Sequence, residues 1–285
     1  MELQGIDVSH YQGKIDWKKV VASGIKFAIM KCQYEAQSHR MDETFEYNYS
    51  EAGKVDIARG VYIYIAKASI ANPELDAQSL LKHLNGRKLE YGIWLDLEDK
   101  SLDVMGKAYI KDLAYKYADI FMKAGYYVGI YCNRDWYIRL IHDDLKQSFD
   151  FWIARYPKND RGIYNEHSTL KPPTNAAVAW QYSSKGHVPG IIGKVDLDVD
   201  YDGIVNLVFD NVRNPYTLSL NELREGNKGE SVKCLQWALN RFSANLVVDG
   251  IFGPKTKLAV LLFQKDHGLS LTGIADSKTL EALNV

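Results

Sequence analysis

Short apolar runs separated by longer mixed segments set the rhythm of residues 1–207. The runs are Gly5–Ser9, Lys26–Gln33, Gly60–Ile65, Gly92–Glu98, Tyr127–Asn133, Phe151–Tyr156, Ala177–Tyr182 and Val195–Val199. Several are apolar throughout rather than alternating, which suits parallel strands covered on their outer side. The intervening segments read as helices. Asp16–Ser23 and Asp42–Ala52 stop at Gly24 and Gly53, each placed as a C′ glycine. Asn72-Pro73-Glu74 supplies an N-cap, an N1 proline and a first-turn acid ahead of Leu75–Leu84. Tyr109–Lys123 has helical apolar spacing and stops before Gly125. Strand candidates alternating mostly with helices predict an α/β fold, a TIM-like β/α barrel of about 200 residues. The segment 157–175, with its Lys171-Pro172-Pro173, carries little helix signal, so the barrel is expected to be irregular.

The pattern changes after residue 207. Residues 208–218, with Asn211, Asn214 and Pro215, read as a linker. Residues 219–285 form a separate, small all-α helical domain. Val232, Leu235, Gln236 and Leu239 mark one amphipathic helix, Leu258–Gln264 a second and Thr279–Leu283 a third. Asp249-Gly-Ile-Phe-Gly-Pro-Lys-Thr and Thr272-Gly-Ile-Ala-Asp-Ser-Lys-Thr form a short internal repeat, each copy a glycine turn leading into a helix. A duplicated turn–helix unit without an acid pair of its own suggests a binding module.

Composition narrows the function classes. A net charge of −1, with 46% hydrophobic and 25% charged residues, is that of an ordinary globular protein. It gives no electrostatic argument for nucleic acid or a membrane surface. No apolar stretch approaches the ~20 residues of a membrane span. The start, Met-Glu-Leu-Gln-Gly-Ile-Asp, has neither the basic nor the apolar region of a signal peptide. Cys32, Cys132 and Cys234 lack metal-ligand or redox spacing, and the histidines form no HExxH-like cluster. Neither a metal nor a cofactor is expected.

Candidate chemistry collects at one end of the predicted strands, where a β/α barrel builds its site. Those ends carry Asp7, Lys31, Gln33, Tyr62, Tyr64, Asp96, Glu98, Tyr131, Asn133, Arg155, Tyr156, Gln181, Tyr182, Asp196 and Asp198. Asp96 and Glu98 are the sharpest pair. Two residues apart on a strand, they share a face at a spacing of roughly 6.6 Å along the chain. Like charge and desolvation can keep one carboxyl protonated near neutral pH. That equips the pair for glycosidic-bond cleavage, one group protonating the leaving oxygen and the other handling developing positive charge. The plainer reading of the same residues is a strand running out into a polar loop. Tyrosines 62, 64, 131, 156 and 182, with Gln181, are candidate sugar contacts, since sites combine apolar walls with a few polar groups.

The chain resembles glycoside hydrolase family 25, the Chalaropsis-type lysozymes, over about residues 3–205. The resemblance rests on Gly5-Ile-Asp-Val-Ser-His-Tyr-Gln-Gly followed by Ile15-Asp-Trp, on Trp94-Leu-Asp-Leu-Glu, and on Trp180-Gln-Tyr-Ser-Ser with Val195-Asp-Leu-Asp. Gly229-Glu-Ser-Val-Lys-Cys-Leu-Gln, Val248-Asp-Gly-Ile-Phe-Gly-Pro-Lys-Thr and Phe263-Gln resemble a type-1 peptidoglycan-binding domain. The resemblance implies a muramidase that cuts the β-1,4 bond from N-acetylmuramic acid to N-acetylglucosamine. Glu98 is then the proton donor, Asp96 the partner of the substrate's 2-acetamido group, and Asp7 and Asp196 the other cleft acids. It also implies peptidoglycan glycan strands as substrate and anchoring ligand. With no signal peptide, the chain is similar to a bacteriophage endolysin, made in the host cytoplasm and released to the wall with a holin-type partner. A bacterial autolysin, an inactive glycan-binding barrel and a chitinase are the alternatives. The sequence departs from the family at Lys31-Cys-Gln-Tyr-Glu-Ala, where Glu35 stands one position beyond a frequent glutamate, and at Tyr62-Ile-Tyr64.

Overall fold

A computed structural model describes residues 2–34, 39–201, 214–242, 244 and 246–285. The described residues divide into two compact units, one holding all the strands and one holding the helices after residue 213. The linker expected over 208–218 falls partly outside them.

The larger unit is a closed barrel of β1 (Leu3–Val8), β2 (Phe27–Lys31), β3 (Ala58–Tyr64), β4 (Ile93–Asp96), β5 (Val128–Asn133), β6 (Phe151–Ala154), β7 (Ala179–Gly186) and β8 (Val195–Asp200), paired in chain order. Its helices are α1 (Trp17–Ala22), α2 (Phe45–Gly53), α3 (Lys67–Ile70), α4 (Pro73–Leu84), α5 (Lys100–Asp103), α6 (Gly106–Lys123), α7 (Arg134–Arg139) and α8 (Asp143–Ser148). Start signals act as the sequence predicts. The Asp16 carboxylate caps α1 by accepting from Lys19 N at 3.3 Å, and Asn72 accepts from Leu75 N at 3.0 Å. Gly24 and Gly125 take positive φ just past α1 and α6. Gly53 does not. It belongs to α2, and a Cβ there would lie 2.3 Å from the Arg59 guanidinium, so the glycine makes room for a side chain rather than a left-handed turn. Arg59 is held there by Glu90 at 3.0 Å and stands over the Tyr49 ring.

From β1 to β7 each strand is parallel to the next, including β6 to β7, although residues 155–178 between them contain no helix. β8 departs from an all-parallel barrel, pairing antiparallel with both β7 and β1. The physical reason is length. Residues 187–194 hold only turns, and a parallel return needs a crossover of about a dozen residues or more. The reversal places Asp196, at the start of β8, opposite Asp7, near the end of β1.

The barrel interior is layered by strand alternation. Its apolar floor contains Phe27, Ile29, Tyr91, Trp94 and Trp152. Phe27 stacks on Tyr91 at 4.2 Å, and Trp94 meets Trp152 edge-on at 5.9 Å. A Cβ at Gly129 would come within 2.4 Å of the Trp94 ring, so only glycine lets that indole lie flat against β5. On β4 the same face then continues from Trp94 to Asp96 and on to Glu98: oil below, charge above.

The smaller unit packs α9 (Glu230–Asn240), α10 (Pro254–Asp266) and α11 (Ser277–Ala282) around Leu223, Val232, Leu235, Phe252, Val260, Phe263 and Leu280. The internal repeat is structural. Gln236 Oε1 accepts from Gly250 N at 2.8 Å, and its amide reaches Asp249 Oδ1, Ile251 O and Thr256 Oγ1. Gln264 does the same one repeat later, accepting from Thr272 N and Gly273 N and donating toward Thr272 Oγ1, Ile274 O and Thr279 Oγ1. Each buried glutamine fastens the turn that launches the next helix.

Candidate active site

The polar end of the barrel opens into a cleft of about 320 Å³. It is lined by Asp7, Tyr62, Tyr64, Asp96, Glu98, Tyr131, Tyr156, Gln181 and Asp196, together with Tyr11, Lys31 and Trp152. Nine of the residues expected at the site therefore meet in one place. Tyr182 does not. Gln181 occupies the inward position on β7, so its neighbour turns to the outer face, where the Tyr182 hydroxyl donates to Gln4 at 3.1 Å and its ring packs on Trp180 and Tyr164. Tyr11 and Trp152 line the cleft without being among the expected site residues. Alternation back from Tyr156 through Ala154 would have found Trp152; nothing in the spacing singles out Tyr11.

Burial dominates the electrostatics. Asp96 is nearly inaccessible, and desolvation followed by the Glu98 charge pushes its carboxyl well above the ordinary range, against the pull of Lys31. Glu98, less buried, is raised by desolvation and by Asp99, while a hydrogen bond from Asn133 lowers it. Asp99 is itself kept below its ordinary value, despite burial, by hydrogen bonds from Ser101 and Tyr64. A fixed negative charge thus stands beside Glu98. Repulsion between Asp96 and Glu98 is mutual, and Asp99 adds a further like charge on the Glu98 side.

Asn133 is held with one sense. As the N-cap of α7, its Oδ1 accepts from Trp136 N at 3.0 Å, which leaves its NH2 for Glu98. On the far wall, Gln181 donates to Asp7 Oδ2 at 2.6 Å and accepts from the Tyr131 hydroxyl at 2.8 Å and from Tyr156. Asp7 is raised by burial and by the charges of Asp196 and Asp198, and Asp196 is pushed up to about 6 by burial and by Glu98. Asp198 is fully buried beneath them, accepting from Trp152 Nε1 at 2.9 Å. Among the described residues, one oxygen each of Asp96 and Asp198 is buried without a hydrogen-bond partner. Glu35 lies outside the described residues.

An acid-lined cleft at the mouth of a β/α barrel, with one carboxyl poised to stay protonated and tyrosines on the walls, defines a glycoside hydrolase. The model of glycosyl hydrolases family 25 matches residues 6–191, and the chain belongs to that family. A peptidoglycan binding domain model matches residues 228–283. The autolytic lysozyme of Clostridium acetobutylicum is 28% identical over 278 residues, covering 94% of this chain and 75% of its own. Among solved structures, a bacterial lysozyme from Streptomyces coelicolor superposes with TM-score 0.57 at 24% identity, covering 75% of this chain and 98% of that one. The modular autolysin LytC from Streptococcus pneumoniae gives TM-score 0.59 at 25% identity, covering 70% of this chain and 47% of that one. The protein is a lysozyme-type glycoside hydrolase carrying a peptidoglycan-binding region.

Proposed function

We propose that the protein is an N-acetylmuramidase that hydrolyses the β-1,4 bond between N-acetylmuramic acid and N-acetylglucosamine by substrate assistance. The observation that carries this reading is the unequal setting of the two acids at the end of β4. Both are raised by burial, but Glu98 takes a hydrogen bond from Asn133, whereas Asp96 keeps one oxygen without a hydrogen-bond partner among the described residues. With Glu98 protonated, the charge that most opposes Asp96 ionisation is gone, and Lys31 favours the Asp96 carboxylate. Glu98 gives its proton to the glycosidic oxygen as the C1–O bond breaks. The acetamido carbonyl oxygen closes on C1, while its N–H donates to the Asp96 carboxylate. Water then attacks C1 and loses its proton to Glu98 as the bond from C1 to the acetamido oxygen breaks and restores the acetamide, so the anomeric configuration is retained. Asp7 and Asp196 shape the field, and Tyr62, Tyr64, Tyr131, Tyr156 and Gln181 contact sugar.

The test is chemical. Peptidoglycan digested by the protein and reduced with borohydride should yield muramitol; glucosaminitol or free peptide amines would reject the assignment. Glu98→Gln should abolish wall clearing while wall binding persists, and retained clearing would sink the choice of acid.

In our reading the tail anchors the enzyme to the wall, and the enzyme acts as an endolysin, made in a host cytoplasm and released through a lesion formed by a holin-type partner. The similarity to an autolytic lysozyme favours a second reading, a bacterial autolysin. Cytoplasmic expression separates them: an endolysin lyses a Gram-positive host only after the membrane is permeabilised, whereas an autolysin reaches the wall unaided.

A further inference from the structure

Tyr11 is 82% exposed, yet it lines the catalytic cleft. Its backbone is unusually well fixed for so open a side chain. It lies in a single 3-10 turn, His10–Gln12, closed by a capping box in which Ser9 Oγ accepts from Tyr11 N at 3.3 Å and Ser9 N donates to Gln12 Oε1 at 2.9 Å. His10 anchors the turn from the other side: its N–H and ring Nδ1 both meet the buried Asp42 carboxylate, at 3.2 and 2.9 Å. The imidazole in turn backs the Tyr11 ring at 4.1 Å and meets Tyr34 at 4.9 Å. The ring is therefore backed by His10 while remaining open to solvent, on a turn whose backbone is held by its own hydrogen bonds.

We propose that Tyr11 is a stacking platform for a sugar ring of the glycan strand outside the pair that flanks the cleaved bond. Position makes this assignment. Tyr11 follows β1, and the acid pair stands at the end of β4, three strands around the barrel. Tyr11 is 82% exposed where Asp96 is 6%, so the ring stands at the rim of the cleft, outward of the acids. A flat apolar face continuous with the cleft, with a hydroxyl at its edge, suits the alternating apolar face and equatorial hydroxyls of a pyranose. Its contribution is to binding rather than to bond breaking, so it acts on KM and grows with strand length.

The inference rests on the glycan-hydrolase reading, and two measurements keep the two separable. With soluble, uncross-linked glycan strands, Tyr11→Ala in the full chain raises KM about tenfold with kcat within twofold, and Tyr11→Trp restores KM. An unchanged KM, or a fall in kcat alone, overturns the proposal. The second measurement needs no turnover. In the Glu98→Gln chain, tetranitromethane nitrates Tyr11, and saturating glycan strands protect it, read by mass spectrometry of the Tyr11 peptide. Undiminished nitration overturns the platform whether or not the wild type cleaves. Protection without cleavage by the wild type keeps the platform and removes the muramidase.

Discussion

Asn133 shows how one side chain joins stability to chemistry. Its carbonyl oxygen caps α7, and this fixes which end of the amide faces Glu98. Asn133→Asp keeps an N-cap acceptor but replaces a donor to Glu98 with a second negative charge. Glu98 then holds its proton to higher pH, and the alkaline limb of the kcat/KM profile moves up by about one pH unit. Asn133→Ala moves the limb in the same direction and also costs about 1 kcal/mol of stability through the lost cap, seen in thermal unfolding. An unmoved limb in both variants would show that the amide does not govern the donor. Residue types at the site were legible in sequence because strand alternation and ordered motifs converge on them. What stayed hidden depends on side-chain surroundings. Tyr182 looked like its neighbour Gln181 until the register turned it outward, and no spacing rule shows that Asp99 adds a charge beside Glu98.

At the level of elements, the paired glutamines of the tail and the reversed β8 both arise from short connections. Gln264→Leu keeps the volume roughly constant but strips the Thr272 amide and the buried Gly273 amide of their acceptor. The buried loss costs about 1–3 kcal/mol, a large share of the stability of a small helical unit. Sedimentation with walls should fall sharply while cleavage of soluble glycan strands stays near wild type; undiminished sedimentation would separate the clamp from the tail's role. The repeat was visible as a sequence pattern, but its purpose was not, because Gln236 and Gln264 sit among apolar helix positions and look like interruptions. The direction of β8 could have been inferred from the length of residues 187–194 alone. Helix ends read from glycines were less secure, since Gly53 answers to Arg59 packing rather than to a turn.

For the molecule as a whole, the acid cluster makes stability depend on pH. Asp7, Asp96, Asp196, Asp198 and Glu98 are all raised in the folded state, chiefly by burial. A raised carboxyl favours folding most when protonated, so its contribution is complete below the unfolded value near 4 and is lost as pH climbs through the folded one, about 6 for Asp196. Tm should therefore decline from pH 4.5 to 7, opposite to the usual behaviour of ion-paired acids. Asp198→Asn, which preserves the acceptor for Trp152, should flatten that decline and raise Tm at pH 7 by a few degrees. A Tm rising across this range would contradict the picture.

The alternation that stacks Trp94, Asp96 and Glu98 on one side of β4 has a consequence for how such a chain can diverge. Substitutions alter one layer at a time. A single-residue insertion or deletion within β4 would exchange that row for Ile93, Leu95 and Leu97, emptying the floor and the catalytic rim together. Lineages can therefore lengthen the loops around the mouth and retune specificity freely, while the strands themselves accept changes of letter but not of count.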